Sequence, residues 1–290
     1  MTRRRFLTSS AVGMAVSTAA PARPTLCIFS KHLAKLDYEQ LGKVAKELGF
    51  EGVDLTVRPG GHVLPERVVE DLPRACQAIR AYGLEVPMIT TSLLRADEPT
   101  AGTTLATAAR LKIAKFKSGY WRYGAADPEK KIAEVKAATQ GLVHLAAQHG
   151  VELGFHNHSG DYVGSALWDV REILAGLDPR WAGFYFDPAH ATVEGGLFSW
   201  QVNLRLASKR LKMVAVKDFF WEKVGGKWRI TWCPLGEGMV NWAGVFQTLA
   251  QARFTGPISL HIEYEARDEL AAIARDLDFL RSQVKKAYAV

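Results

Sequence analysis

The strongest constraint on the fold is an alternation of short apolar runs with helix-like stretches from about residue 25 onward. Between the runs, apolar residues recur three and four positions apart, as Leu41, Val44, Ala45 and Leu48 do. Strands that alternate with helices in this way form a parallel sheet. The strand-like runs are residues 26–29, 52–57, 84–89, 112–116, 151–155, 182–186, 211–216 and 257–262.

Eight such units in a chain of 290 residues predict an α/β fold, a (β/α)8 TIM barrel that forms a single domain over residues 25–290. A doubly wound sheet is the alternative, which is disfavoured because no predicted strand is followed by a Gly-x-Gly-x-x-Gly turn. Residues 222–238 exceed a plain βα loop in length, and Gly225-Gly226 within them is typical of a hairpin turn. We therefore expect a hairpin over the mouth of the barrel.

The N-terminus carries the pattern of an export signal. The stretch Thr2-Arg3-Arg4-Arg5-Phe6-Leu7 resembles the twin-arginine motif, and a short apolar run follows at residues 11–20. The sequence Ala20-Pro21-Ala22 then offers a cleavage site. Because the apolar run is too short to span a bilayer, residues 1–22 are interpreted as a removable signal peptide. This predicts export to the periplasm or beyond by the twin-arginine route, with no membrane span in the mature protein.

The charge and the cysteine content argue against several classes of function. The chain has 37 Lys and Arg against 30 Asp and Glu, a formal net charge of +7, without a long basic run outside the N-terminus. Nucleic acid is therefore not an expected partner, because a phosphate footprint needs clustered basic residues. A mildly basic surface is compatible with a sugar phosphate or an acidic sugar. The three cysteines are too widely spaced for a disulfide framework or a zinc site and are expected to be buried thiols.

Polar residues cluster where the predicted strands end, and in a barrel these ends form the active-site face. Strand five carries His156, strand six ends at Asp187, strand seven at Lys217 and strand eight at Glu263. If Asp187, Glu263 and His156 all point inward, two carboxylates and one imidazole meet near the barrel axis. Such a cluster is costly unless it is paired or bound to metal. The pattern therefore favours a divalent metal, Mn, Mg or Zn.

Six short motifs carry a resemblance to a known family. They are Gly-Phe-Glu-Gly-Val-Asp-Leu at 49–55, His-Asn-His at 156–158, Asp-Pro-Ala-His at 187–190, Val-Lys-Asp at 216–218, Leu-Gly-Glu-Gly at 235–238 and His-Ile-Glu at 261–263. In this order and spacing they resemble the xylose isomerase-like (AP endonuclease 2-type) TIM barrels, which include sugar isomerases, epimerases and dehydratases. The resemblance runs from about residue 25 to the C-terminus.

The resemblance implies one metal held by Glu, Asp, His and Glu on strands five to eight. Asp187 and Glu263 match the second and fourth of these ligands, while His156 and Ala215 stand at the other two positions. We therefore expect Asp187, Glu263 and His156 to hold the metal, and Lys217, Glu263 and His156 to be the catalytic residues. The alternative is that Lys217 itself takes the place of the cation and pairs with the two carboxylates.

A small sugar or sugar derivative is the expected partner. Aromatic residues that follow strands five to seven are expected to wall its pocket, because aromatic faces pack against sugar C–H groups. These aromatic residues are Trp168, Trp200, Phe220 and Trp221. The predicted substrate-binding residues are Lys31, Arg58, His62, His158, His190, Trp221 and Glu237, of which the resemblance places His190 in contact with the sugar.

Two strand-end carboxyl groups have open interpretations. Asp218 caps the loop that follows it or takes part in the chemistry. Asp54 is a satisfied inward polar residue or a member of the site.

These residues predict an enzyme that moves a proton next to the carbonyl group of a keto or aldehydo sugar, as an isomerase or epimerase does. Two further functions stay open: a keto-sugar dehydratase or lyase, and an exported carbohydrate-binding protein on a barrel that has lost its catalysis. A DNA-cleaving barrel of the endonuclease IV type is disfavoured, because that group uses many more His and acidic ligands and a basic groove. Fold alone does not choose among these functions.

Overall fold

The computed structural model describes residues 22–289, and the predicted signal peptide therefore lies almost wholly outside the described residues. Ten strands are present: β1 Thr25–Phe29, β2 Gly52–Val57, β3 Glu85–Thr91, β4 Lys115–Lys117, β5 Glu152–His156, β6 Ala182–Phe186, β7 Leu211–Val216, β8 Asp218–Val224, β9 Lys227–Cys233 and β10 Pro257–Leu260. Among residues 22–289, eight α-helices accompany them: α1 Tyr38–Leu48, α2 Val68–Ala81, α3 Ala101–Arg110, α4 Pro128–His149, α5 Leu167–Ile173, α6 Pro188–Ser208, α7 Trp242–Gln251 and α8 Glu269–Tyr288.

Eight of the strands close into a parallel barrel in the order β1-β10-β7-β6-β5-β4-β3-β2. This confirms the predicted (β/α)8 barrel. Three predicted strands, 52–57, 182–186 and 211–216, have the bounds that the structure shows. Strand β4 differs most from its prediction, since it begins at Lys115 rather than at residue 112. Lys112 has a φ of 59°, which places it in the turn that ends α3 and delays the strand.

Helix ends follow the capping chemistry in the sequence. The Asp37 carboxylate accepts a hydrogen bond from the Gln40 amide, and the Gln40 side chain accepts one from the Asp37 amide, so α1 begins with a capping box. Gly49 ends α1 with a φ of 91°, a left-handed conformation that favours glycine. Asp187 caps α6, because its carboxylate accepts a hydrogen bond from the His190 amide.

A small apolar cluster fills the interior of the barrel. Met88 on β3, Tyr185 on β6, and Met213 and Ala215 on β7 are buried together. Because β3 is not a neighbour of β6 or β7 in the barrel, these side chains meet across the interior. A Cβ atom at Gly154 would lie 1.9 Å from Met213 Cε, so glycine makes room for this packing. The larger core lies between the barrel and its helices.

Strands β8 and β9 form an antiparallel hairpin outside the barrel. Its turn is Gly225-Gly226, with φ values of 58° and 80°, so the predicted hairpin is confirmed. The hairpin follows β7 directly and brings Trp232 of β9 to the cavity described below. Among residues 22–289, every helix is too short or too polar to cross a lipid bilayer.

Candidate active site

A cavity of about 290 Å³ opens at the carboxyl ends of the barrel strands. Its volume is at the small end of the range of ligand pockets, about 300–1,000 Å³. Each lining residue is at or near the end of a strand, which is where a barrel places its chemistry. The lining residues are Phe29, Lys31, Arg58, Thr90, Lys117, Tyr120, His156, His158, Tyr185, His190, Lys217, Trp232, His261 and Glu263.

A buried ion pair stands at the centre of the site. Lys217 Nζ lies 3.2 Å from Asp187 Oδ2, and the side chains are 5% and 0% exposed. The other oxygen, Asp187 Oδ1, accepts a hydrogen bond from the His190 amide, while Asn157 bonds both backbone groups of Asp187. Burial alone would raise the pKa of the Asp187 carboxyl, but Lys217 and His190 bring that pKa below its usual value. The carboxylate is therefore ionised and held in one orientation.

Two imidazoles face the same carboxylate oxygen. His156 Nε2 lies 3.4 Å and His190 Nε2 3.8 Å from Asp187 Oδ2. The other nitrogen of each ring already has a hydrogen-bond partner. His156 Nδ1 lies 2.6 Å from the Tyr120 hydroxyl, and His190 Nδ1 lies 2.8 Å from Ser159 Oγ. Burial and the positive charge of Lys217 hold the pKa of both imidazoles well below its ordinary value. Both rings are therefore neutral near pH 7 and can accept a proton.

The floor of the cavity is a buried hydroxyl network around Asp54. The Asp54 carboxyl accepts hydrogen bonds from Thr90 Oγ1 at 2.8 Å, Ser259 Oγ at 2.8 Å and the Tyr185 hydroxyl at 3.4 Å. The Tyr185 hydroxyl also lies 3.3 Å from His261 Nε2. Burial raises the pKa of Asp54 to about 6 despite these hydrogen bonds. Asp54 is thus a satisfied inward residue that supports two cavity-lining side chains directly, Thr90 and Tyr185, and a third, His261, through Tyr185.

Glu263 pairs with Lys31 at the rim of the cavity. Lys31 Nζ lies 3.1 Å from Glu263 Oε2, and Glu263 Oε1 lies 4.0 Å from His261 Nδ1. Burial would raise the pKa of Glu263, but the charges of Lys217 and Lys31 bring it below its usual value. Glu263 is therefore an ionised carboxylate that is partnered by a lysine.

The structure does not assemble the metal site predicted from Asp187, Glu263 and His156. Among residues 22–289, no three His, Cys, Asp or Glu side chains are placed to hold one metal ion. The physical reason is that Lys217 puts an ammonium group beside Asp187 Oδ2, while Glu263 turns toward Lys31. Ala215, at the position of the expected His ligand, is buried in the barrel interior and offers no donor atom. The donor set does not fit the divalent metal expected from the resemblance.

Several predicted substrate-binding residues do line the cavity, namely Lys31, Arg58, His158 and His190. Three others lie elsewhere. The His62 ring contacts Thr56 Oγ1 at 3.4 Å behind the cavity wall. Glu237 lies 4.0 Å from Arg275 on the outer surface, and Trp221 projects from the hairpin with 38% of its surface exposed. His62 and Glu237 are on loops and Trp221 is on β8, and none of the three lines the cavity.

The predicted aromatic wall is built from different residues. Trp168 is 56% and Phe220 36% exposed, whereas Trp200 is packed in the core at 2%. None of these, nor Trp221, lines the cavity. The aromatic lining residues are Phe29, Tyr120, Tyr185 and Trp232. Loop aromatics were assigned by their distance from a strand in the sequence, which does not give the direction of a side chain.

Sequence reasoning also missed Lys117, the last residue of β4. The predicted run stopped at residue 116, one position short, so Lys117 was not counted among the strand-end polar residues. Tyr185 was hidden inside an apolar run, although it is two residues before Asp187 and therefore shares its strand face. That alternation was the available signal for Tyr185.

Similarity to known proteins extends over most of the chain. A family model described as the xylose isomerase-like TIM barrel matches residues 43–283. An inosose dehydratase from Bacillus velezensis is 26% identical over an alignment of 149 residues, which covers 48% of this chain and 47% of that protein. Another, from Mesomycoplasma hyopneumoniae, is 28% identical over 151 residues, covering 47% of this chain and 49% of that protein. The chain spans about half the length of the curated relatives it matches.

Solved structures share the architecture. The structure of an L-ribulose 3-epimerase superposes with a TM-score of 0.70 at 16% identity, covering 92% of this chain and 96% of that one. A xylose isomerase-like TIM barrel protein from Mycobacterium smegmatis, solved in complex with magnesium, gives a TM-score of 0.66 at 15% identity, covering 92% and 98%. At these identities the likeness establishes the fold alone.

Proposed function

The chain belongs to the xylose isomerase-like TIM barrel family, and we propose that it transfers a proton next to the carbonyl group of a keto or aldehydo sugar derivative. One observation carries the proposal. The buried Lys217–Asp187 ion pair, 3.2 Å between Nζ and Oδ2, lies between two imidazoles that line the same cavity. A fixed cation beside neutral bases is what proton abstraction next to a carbonyl requires.

Lys217 supplies the positive charge in this mechanism. A C–H bond next to a carbonyl loses its proton only when the enediolate oxygen that forms is stabilised. The Lys217 ammonium group is held by Asp187 and is 5% exposed, so its charge acts in a site that excludes most water. We assign the carbonyl oxygen of the substrate to Lys217 Nζ.

The imidazoles and Glu263 carry the proton. His156 Nε2 has no hydrogen-bond partner among residues 22–289, while Tyr120 fixes the ring through Nδ1. We assign proton removal from carbon to His156. In an isomerase, the protonated His156 returns its proton to the neighbouring carbon. In an epimerase the proton returns to the same carbon from the other face, and Glu263, which lines the same cavity, gives it only after it has taken a proton from solvent.

A dehydratase is the second candidate function, and the similarity to the inosose dehydratases favours it. The first step is the same removal of a proton next to the carbonyl. The carbon–oxygen bond at the next carbon then breaks, and the departing hydroxyl group leaves as water after a proton is added to it. The proton that His156 takes from carbon passes to His190, which also lines the cavity and gives it to the departing hydroxyl group, so that one water is lost and both rings return to the neutral form.

The M. smegmatis protein was solved in complex with magnesium, and a divalent metal is therefore considered for this site as well. Such a metal supplies charge at the carbonyl oxygen. Here the donor groups do not fit it, because Lys217 stands beside Asp187 and Glu263 is paired with Lys31. The steps above therefore use only side chains of this chain.

The test is hydrogen exchange with solvent. The purified protein is incubated in deuterated water with keto sugars and inososes, and products are followed by NMR and mass spectrometry. We expect deuterium at the carbon next to the carbonyl of at least one compound, with an epimer, an isomer or a dehydrated product. Sugar binding without any exchange would contradict the enzyme and support a carbohydrate-binding protein.

A further inference from the structure

The cavity contains more positive charge than its own carboxylates balance. Four cationic side chains line it, and two of them are paired, Lys217 with Asp187 at 3.2 Å and Lys31 with Glu263 at 3.1 Å. The other two, Arg58 and Lys117, form no ion pair with a carboxylate anywhere in residues 22–289. Unpaired charge is costly where it is buried, as at Lys117, and Arg58 is half-buried beside it.

Lys117 is the more deeply buried of the two unpaired cations. It is 3% exposed, and its Nζ lies 3.3 Å from the centre of the Tyr120 ring, which faces the same cavity. Burial and the charge of Arg58 hold the pKa of Lys117 well below its ordinary value. Asp54 lies beneath, but hydroxyl groups on three residues occupy its carboxyl oxygens. An anionic ligand would supply the negative charge that no side chain within residues 22–289 places beside Lys117.

Arg58 is on the same side of the barrel as Lys117. It follows β2, and its guanidinium group lies 5.5 Å from the centre of the Phe29 ring. Between β2 and β4 lies β3, whose Thr90 also lines the cavity. Lys217, which is assigned to the carbonyl oxygen, follows β7, and β7 lies opposite β3 in the ring of eight strands, while His156 on β5 is next to β4. One substrate can therefore reach both sets of residues across the cavity.

We propose that Arg58 and Lys117 form a subsite for an anionic group on the sugar, a carboxylate or a phosphate. The inference rests on the proposed function for the sugar itself, since the anion is placed opposite the reacting carbonyl. Arg58 binds such a group through its planar set of N–H donors, and Lys117 adds a single charged donor from the strand end. The substrate class is thus an acidic keto sugar or a sugar phosphate.

The test compares three ligands that differ at one carbon. D-Fructose, D-fructuronate and D-fructose 6-phosphate share a ketose skeleton and end in a hydroxyl, a carboxylate and a phosphate. Calorimetry on the full-length protein should give a Kd at least tenfold lower for one of the acids than for D-fructose. Which acid binds more tightly distinguishes the carboxylate from the phosphate.

Three variants test which residues cause the tighter binding of the acidic sugar. Arg58→Gln and Lys117→Met should each reduce the preference for the acid, which is the ratio of the two Kd values measured on the same variant, about tenfold. Arg95→Gln is the matched control, because Arg95 also stacks on an aromatic ring, that of Trp121 at 5.0 Å, but is paired with Glu134 outside the cavity. Thermal melting of each variant shows that it is folded.

The inference is overturned if the native protein binds neither acid more tightly than D-fructose, or if both cavity variants keep the preference. Binding is measured without turnover, so its outcome is separate from that of the exchange assay. An acid preference without exchange would contradict the proposed function and keep the subsite. Exchange of neutral ketoses with no preference for an acid would contradict the subsite and support the proposed function.

Discussion

Asp54 is a carboxyl group whose ionisation opposes folding. Burial raises its pKa from 3.8 to about 6, so between these values the folded state binds a proton that the unfolded state has lost. The stability contributed by that proton is complete below about pH 4 and is lost as the pH rises to about 6. At 1.36 kcal/mol per pKa unit, the loss is about 3 kcal/mol.

Replacing Asp54 by Asn should remove this pH dependence. The free energy of unfolding of Asp54→Asn, relative to the native protein, should increase by about 3 kcal/mol between pH 4 and pH 7. Denaturant titrations at several pH values measure it. The control is Asp278→Asn, because the Asp278 side chain is 76% exposed, and its curve should run parallel to the native one. A constant difference between Asp54→Asn and native would contradict the buried ionisation.

At single residues, the sequence indicated which groups lie at the barrel mouth but not what they pair with. Asp187, Lys217 and Glu263 were placed there because parallel strands end at one face. That Glu263 turns to Lys31 depends on side-chain rotamers across 232 positions of sequence, which no local pattern encodes. The metal prediction assumed that two carboxylates at one barrel end share one ligand, whereas in the structure each of them lies beside a lysine.

Among the elements, the β8–β9 hairpin depends on Asp218. Its carboxylate accepts hydrogen bonds from the amides of Phe219, Gly236 and Val240 and from Trp242 Nε1 at 2.7 Å. Of the two interpretations that the sequence left open, the loop cap is the one that the structure shows. The hairpin turn itself was predictable, because two adjacent glycines supply the positive φ values that a tight turn needs.

The hairpin also supplies a wall of the cavity. The Trp232 ring centre lies 5.1 Å from Lys217 Nζ and 5.7 Å from the centre of the His190 ring. We expect Trp232→Ala to raise the Kd for the sugar about tenfold, because an aromatic contact of about 0.5–1.5 kcal/mol and the water exclusion over Lys217 are lost. Calorimetry measures the change.

Trp228→Ala is the control for this prediction, since Trp228 is on the same hairpin but is 66% exposed. Its Kd should stay within about twofold of the native value. If both variants bind sugar equally well, Trp232 is a packing residue of the hairpin and does not contact substrate.

At the scale of the whole molecule, the barrel followed from the sequence with few errors. Eight apolar runs separated by amphipathic stretches leave few alternatives to a closed parallel sheet, because each strand must be buried on both faces. The start of β4 shifted to Lys115, where the end of α3 and the start of the strand share apolar residues. The site is harder to predict, since it depends on side chains from six or more strands meeting at one point.

We propose that the chain is exported in folded form, from the Arg3-Arg4-x-Phe6-Leu7 pattern of the sequence. Replacing Arg3 and Arg4 by Lys should keep the protein in the cytoplasm, as fractionation and immunoblotting would measure. The matched control is Arg23→Lys, which changes an arginine just after the proposed cleavage site. Normal export of the double variant would contradict the twin-arginine route.

The central claim is that Lys217 stabilises the enediolate, and one measurement tests it most directly. The rate of deuterium uptake from solvent into the substrate is compared for native protein, Lys217→Met and Lys212→Met. Lys212 is on the same strand at the opposite end, where it pairs with Glu152. We predict that Lys217→Met loses at least a hundredfold in rate while it still melts cooperatively, and that Lys212→Met keeps the native rate. Exchange by folded Lys217→Met at the native rate would contradict the account.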